Sequence, residues 1–286
     1  MKVRALIEKK RRFRLIFLLG YKKIRNFATN HETQKVMMLT DLLTTFNPIT
    51  LEEMKSIKLM NRIDTKFVTT RLQLMRLLQM AQPEYFVQQT AGQRNIPYST
   101  TYWDTLDFDM YRVHQTGHCG RQKLRFRTYV SSDLQFMEVK TKNNHGRTKK
   151  KRMRVDDMDL TDTEKLGFLA THLRYDPQIL RPAIHNEFHR ITLVNHARTE
   201  RLTIDNQLRF HNLVSGNNRD MGDLIIIELK RDGLCYSPVL EMLRRLRIMP
   251  HGFSKYCMGS AMTNSTLPVN RFKPKLRDVE RILAKG

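Results

Sequence analysis

Four cations alternate along Arg121-Gln122-Lys123-Leu124-Arg125-Phe126-Arg127, and alternate positions of a β-strand share one face. The pattern recurs in Glu138-Val139-Lys140-Thr141-Lys142, Arg62-Ile63-Asp64-Thr65-Lys66 and Arg201-Leu202-Thr203-Ile204-Asp205. Between Arg121 and Arg154 twelve Lys or Arg stand against two acids, Asp133 and Glu138. For any one strand a solvated face explains such charge. For five strands together that explanation weakens, because solvated faces mix both signs with Ser, Thr and Gln. Cations packed this closely repel one another, so an anion belongs among them. Arginine offers paired hydrogen bonds to phosphate oxygens and lysine a point charge, which makes this a phosphate site by chemistry. Glu228 interrupts the apolar run Leu224-Ile225-Ile226-Ile227-Glu228-Leu229-Lys230, where an ionised carboxylate is costly unless paired or bound to metal. Carboxylate oxygens suit Mg²⁺ or Mn²⁺. No Walker loop, Rossmann glycine pattern or kinase signature is present, so side chains must hold any nucleotide phosphates.

These residues need strands to present them. Thr50-Leu51-Glu52-Glu53 has capping-box spacing and predicts a short helix to about Met60. Residues 71–81 read as an amphipathic helix with Leu74, Leu77 and Leu78 on one side. From Tyr85 to Met153 the period is two, broken at Gly92, Gly117, Gly120 and Asn143-Asn144, which predicts antiparallel strands. A helix follows at 161–173, capped by Thr161 and Glu164. Strands return at 183–194, 200–210 and 224–230, then helices at 236–246 and 254–262. The fold class is α+β: a closed antiparallel β-barrel, a tunnel of about eight strands with flanking helices. One domain spans residues 39–263, between a basic N-terminal extension, 1–38, and a loose polar C-terminal tail, 264–286, that contains Pro268 and Pro274.

Lys and Arg number 51 against 28 Asp and Glu, a formal charge of +23 that favours a polyanionic partner: nucleic acid, anionic lipid or a phosphate polymer. At 40% hydrophobic the chain can bury a core and is no disordered polycation. Cys119, Cys235 and Cys257 lack zinc spacing and a disulfide framework, which fits a reducing cytoplasm. The apolar run after Lys9-Lys10-Arg11-Arg12 is far shorter than the ~20 residues of a membrane span. Attachment to an anionic membrane surface is one reading of it. A frayed extension, or a start at Met37 or Met38, is the preferred one.

In order along the chain, Arg62-Ile63-Asp64-Thr65-Lys66-Phe67, Tyr98 to Thr105, Tyr111 to Arg127, Glu138 to Lys142, Arg201 to Asp205, Glu228-Leu229-Lys230 and Ser254-Lys255-Tyr256 resemble the VTC domain. This is the polyphosphate polymerase module of the vacuolar transporter chaperone family, within the triphosphate tunnel metalloenzymes. The resemblance, to the stand-alone prokaryotic type, runs from about Leu39 to Met262. It implies that Lys66, Arg125, Arg127, Lys140, Arg190, Arg201 and Lys255 line the tunnel and grip the phosphates. Arg62, Lys123, Lys142, Ser254 and His114 would bind substrate, and Glu228 would be the main metal ligand, for Mn²⁺ or Mg²⁺. The implied reaction moves the terminal phosphoryl group of ATP onto inorganic polyphosphate, in the cytoplasm or at a membrane surface, with no specific nucleic acid as partner. Two positions depart from the pattern. Arg62 and Asp64 stand where the wider superfamily has Glu-x-Glu-x-Lys, and Phe188 stands where the family tends to have Tyr. A tunnel triphosphatase and a non-catalytic polyphosphate-binding module are the alternatives. A nucleic-acid binder would need aromatic residues among the cations, and Arg121–Arg127 offers only Phe126, on the opposite face. Lys149-Lys150-Lys151-Arg152 reads equally as a nucleic-acid patch, a solvated strand end or the tunnel mouth. His114, His118 and His145 lie in or near the basic strands; Tyr98, Tyr102 and Trp103 read as packing rather than a base-stacking site.

Overall fold

A computed structural model describes residues 39–55, 57, 62–143 and 148–284. The N-terminal extension, the chain from 58 to 61, and Asn144 and His145 lie outside the described residues. The chain divides into two units, 1–45 and 46–286. In the first, residues 39–44 are helical, and the Thr44 and Thr45 hydroxyls donate to the Asp41 and Leu42 carbonyls at 2.6 and 2.8 Å.

The second unit is built on one curled, mainly antiparallel sheet. Its strands are β1 (Asn47–Ile49), β2 (Arg62–Thr70), β3 (Tyr85–Gln88), β4 (Ile96–Thr105), β5 (Gln122–Tyr129), β6 (Leu134–Lys142), β7 (Thr148–Val155), β8 (Leu180–Asn195), β9 (Glu200–Asn212), β10 (Asn218–Asp220) and β11 (Leu224–Asp232). Eight of them run β2-β11-β9-β8-β4-β5-β6-β7. Among the described residues β2 and β7 share no ladder, so the expected tunnel is a half-barrel whose walls face each other across an open seam. The helices are α1 (Leu51–Lys55), α2 (Arg71–Ala81), α3 (Asp109–Gln115), α4 (Thr163–His172), α5 (Pro238–Arg245), α6 (Lys255–Thr263) and α7 (Lys273–Leu283).

Alternation explains how the sheet is covered. Leu124, Phe126, Met137 and Val139 point out of the half-barrel and pack with Met110, Leu169 and Leu180. On β9 the phase changes at Gln207, whose φ is +51°. A bulge there lets Asp205 and Phe210, one odd and one even, share the inner face. The interior is therefore charged along one stretch and apolar along the next. The apolar part (Ile184, Phe188, Leu208, Phe210) takes up Tyr256 and Met258 of α6 and Val279 of α7.

The capping box at Thr50 forms as expected: Glu53 accepts from Thr50 N at 2.8 Å, and Thr50 Oγ1 accepts from Glu53 N at 3.2 Å. Three expectations are corrected. Residues 109–115, expected within a strand series, form α3, because the Asp104 carboxylate accepts from the backbone N–H groups of Met110 and Tyr111, both at 2.9 Å. Helix α4 is capped by Asp162, which accepts from Lys165 N at 2.9 Å, rather than by Thr161, whose hydroxyl turns to Asp159. The supposed tail folds: Pro274 sits in the first turn of α7, where its missing N–H costs nothing, and Val279 is fully buried.

Candidate active site

Register brings the alternating charges together. Lys66 on β2 lies opposite Glu228 on β11, which lies opposite Thr203 on β9. One step along, Lys230 pairs with Asp64 and Arg201, and one step the other way Asp205 pairs with Arg190 on β8. On the facing wall Lys123 is opposite Lys140, and Arg125 opposite Glu138. The walls sense each other: Lys140 on β6 interacts electrostatically with Glu228 on β11, and Lys123 on β5 with Lys66 on β2.

Besides Asp64, three inward carboxylates hold part of this charge. Glu138, with no exposed surface, accepts from Arg125 Nε at 2.7 Å and from Lys150 at 3.1 Å. Asp205 takes Arg190 in a two-point grip, at 2.6 and 2.8 Å, and also Lys255. Glu228 meets Lys230 at 3.2 Å and Lys66 at 3.8 Å. Burial raises the pKa of each, yet the adjoining cations outweigh it and hold all three below the usual carboxylate range. The cations outnumber these carboxylates. Lys140 has no hydrogen-bond or ion-pair partner among the described residues, and Arg125, then burial and Arg127, push its pKa well down. Among the described residues the Arg127 guanidinium donates only to Thr100 Oγ1, at 3.2 Å; burial, Arg125 and Arg190 lower its pKa to about 10. Arg201 gives one N–H to the Met54 carbonyl at 3.1 Å, while its buried Nε is unpartnered among the described residues. An anion placed between Arg127 and Lys140 relieves this repulsion directly.

The α6 N-terminus supplies the end of the site. Ser254 caps the helix by accepting from Cys257 N at 3.3 Å and takes a second bond from Lys123 at 2.8 Å, while Lys66 donates to the Phe253 carbonyl at 3.1 Å. Lys255 lies 4.2 Å from the Phe188 ring centre, and Arg127 and Arg190 approach the same ring at 5.7 and 5.3 Å. Phe188 thus serves as a cation–π platform without a hydroxyl. The structure brings Lys66, Lys123, Arg125, Arg127, Lys140, Arg190, Arg201, Glu228, Ser254 and Lys255 together. Three others lie at the margins of the site. Arg62, exposed at the start of β2, shares the face of Asp64 and Lys66, is bonded to Asp64 at 2.7 Å and helps to lower the pKa of Arg201. Lys142 ends β6, half-buried. His114 turns to the Cys257 thiol at 3.0 Å and to Phe272. Tyr98 and Tyr102 are buried, as packing requires. Sequence reasoning placed Asp205 and Lys230 on charged faces without giving them a role. Their spacing, two residues from Thr203 and Glu228, was the signal.

No three His, Cys, Asp or Glu residues among those described are arranged to hold a metal. Glu138 and Asp205 are fully engaged and Asp64 is bonded to Arg62, which leaves Glu228, with the longest ion pairs of the four, as a single carboxylate. That fits a hard cation whose other ligands are phosphate oxygens and water.

A half-barrel lined by such cations has the chemistry of a phosphate-binding tunnel. The sequence matches the VTC domain over residues 61–264, and the chain belongs to that family. Membership places it among triphosphate tunnel proteins that transfer or hydrolyse phosphate and generally use divalent metals. Similar solved structures include a Bacillus halodurans protein assigned as an adenylate cyclase, with 15% identity, TM-score 0.44, and coverage of 68% of this chain and 96% of that one. Another is a Hippeastrum protein assigned as an adenylyl cyclase and described as having a dominant triphosphatase activity, with 15% identity, TM-score 0.45, and coverage of 73% and 98%. A conserved Pyrococcus furiosus protein has 14% identity, TM-score 0.35, and coverage of 67% and 97%. No curated protein matches the chain. No helix among the described residues is long and apolar enough to cross a membrane.

Proposed function

We propose that the protein is a polyphosphate polymerase that transfers the terminal phosphoryl group of ATP to an inorganic polyphosphate chain. The observation that carries this reading is the surplus of inward cations, above all Lys140 and Arg127, which lack carboxylate ion-pair partners among the described residues. Phosphoryl transfer needs mainly alignment and charge neutralisation. A terminal oxygen of the chain forms a bond to the γ-phosphorus, the bond from that phosphorus to the bridging oxygen breaks, and ADP leaves with the electron pair. In this reading Lys255, Arg190 and Ser254 grip the donor phosphates, and Arg125, Arg127 and Lys140 hold the transferred group and the chain. Glu228 would hold a divalent cation, Mg²⁺ or Mn²⁺, which would supply charge neutralisation at the phosphates. ATP as donor and three free cysteines suit the cytoplasm.

The test is incubation of the purified protein with ATP and Mn²⁺ or Mg²⁺, with chain polyphosphate read on a gel. Polymer is expected from the wild type, and a loss of about 10²-fold or more from Glu228→Gln, as for removal of a transition-state charge partner. Free phosphate without polymer would replace this reading with a triphosphatase, and binding without turnover would leave a polyphosphate-binding module.

A further inference from the structure

Of the basic strand β7, only Lys150 enters the site just described, as a partner of Glu138. Its inward positions nevertheless continue the tunnel lattice. Lys123, Lys140 and Lys150 occupy directly paired positions on β5, β6 and β7. The next row is Arg125, Glu138 and Arg152, and the next Arg127, Phe136 and Arg154. Lys150 bonds to Glu138 at 3.1 Å and the Arg152 guanidinium lies 4.7 Å from the centre of the Phe136 ring, so both share the face of the tunnel cations. Glu138 does not break the lattice as a repulsive point, since Arg125 and Lys150 occupy its two oxygens.

Directly opposed like charges destabilise a sheet, and three lysines in one row is a repulsive arrangement. Inward-pointing charges also guard an edge strand against unwanted pairing, but a guard needs no register with the tunnel cations, and Lys150, Arg152 and Arg154 keep it over three successive rows. The rows also run from shelter to water. The Arg125 side chain is 6% exposed and that of Lys150 41%, and β7 pairs with no strand beyond β6 among the described residues.

Resting on the polymerase reading, we propose that the inner face of β7 is an exit track. The growing polyphosphate chain leaves sideways across Lys150, Arg152 and Arg154 at the open seam of the half-barrel. The track is a second subsite, one that only a chain longer than the tunnel site can reach.

The test compares two variants of equal charge change: Arg152→Gln/Arg154→Gln on the inner face and Lys149→Gln/Lys151→Gln on the outer. Affinity is measured for tripolyphosphate and for long-chain polyphosphate across a salt series, with circular dichroism to confirm folding. The inner pair is expected to weaken long-chain binding by ~10-fold and to lower its salt slope by about 1.4, two phosphate contacts at ~0.7 each as for a single strand. The outer pair, and tripolyphosphate binding by either variant, should change less than about threefold. If the inner pair does not fold, Arg152→Gln alone should still lower the slope by about 0.7. Equal losses from both faces would reduce the effect to bulk charge and overturn the track. So would unchanged long-chain affinity in the inner variant, or competition by a single-stranded oligonucleotide as effective as that by polyphosphate of the same phosphate count. A wild type that binds neither phosphate ligand would remove the functional reading itself, and the track with it.

Discussion

Lys255 is held in two opposing ways. Burial lowers its pKa to about 8, Arg190 adds to that, and Asp205 works against both. The ammonium form is the one that grips phosphate, so tripolyphosphate affinity should fall as pH rises through 8, by about tenfold per unit once the proton is gone. Stability moves the other way. Between pH 8 and the ordinary lysine value of 10.5 the folded chain binds fewer protons than the unfolded one, so the unfolding free energy rises with pH. Affinity and stability measured over pH 7–10 therefore separate titration from denaturation. In Asp205→Asn the group that holds the Lys255 pKa up is lost, and the fall in affinity should begin below pH 8. An unmoved profile would detach Lys255 from phosphate binding. These pairings explain what could be read from residue types alone. The cations were legible because alternation of period two is a local signal. Asp205 as their anchor was not, because its partners Arg190 and Lys255 lie 15 and 50 residues away and meet it only through strand pairing and the docking of α6.

Whole elements were legible wherever their signal was local. Helix α2 occupies the predicted span, with Leu74, Leu77 and Leu78 fully buried, and each of the three long C-terminal strands contains its predicted core. Helix α3 was not legible, because its cap is Asp104, five residues before its start, and the chain reaches it through Phe108 at φ +57°. Helix α7 was hidden by Pro274, read as a breaker although the first turn of a helix accepts it. Close approach also governs how α6 enters the half-barrel. A Cβ at Gly259 would lie 2.5 Å from the Phe210 ring and 2.7 Å from the end of Ile184, both fully packed. Gly259→Ala should therefore cost about 1–3 kcal/mol by overpacking. On α4, Gly167 has open space around its missing Cβ, and Gly167→Ala should add ~0.5–1 kcal/mol by restricting the unfolded chain. Urea denaturation of the two variants reads both signs. A neutral Gly259→Ala would mean that α6 is not seated against Phe210, and with it that Ser254 and Lys255 are not fixed where the site needs them.

For the molecule as a whole, a formal charge of +23 sets the balance between folding and binding. Like charges concentrated on one inner surface disfavour the compact state, and a polyanion that fills that surface removes the cost only while the chain is folded. Ligand binding to the native state alone stabilises it by RT ln(1 + [L]/Kd), about 2.7 kcal/mol at a hundred times Kd. For a chain of this size each kcal/mol moves the thermal midpoint by roughly 2–4 °C. Saturating long-chain polyphosphate should therefore raise Tm by about 5–10 °C at low salt. The shift should shrink steeply between ~50 and ~200 mM salt, as counterion release predicts for several phosphate contacts. A neutral polymer should do nothing. Tripolyphosphate should give a smaller shift with a shallower salt dependence, because it reaches the tunnel cations and not the β7 edge. Equal shifts and equal slopes for the two anions would show that only the enclosed cations bind, and would restrict the interaction to the tunnel.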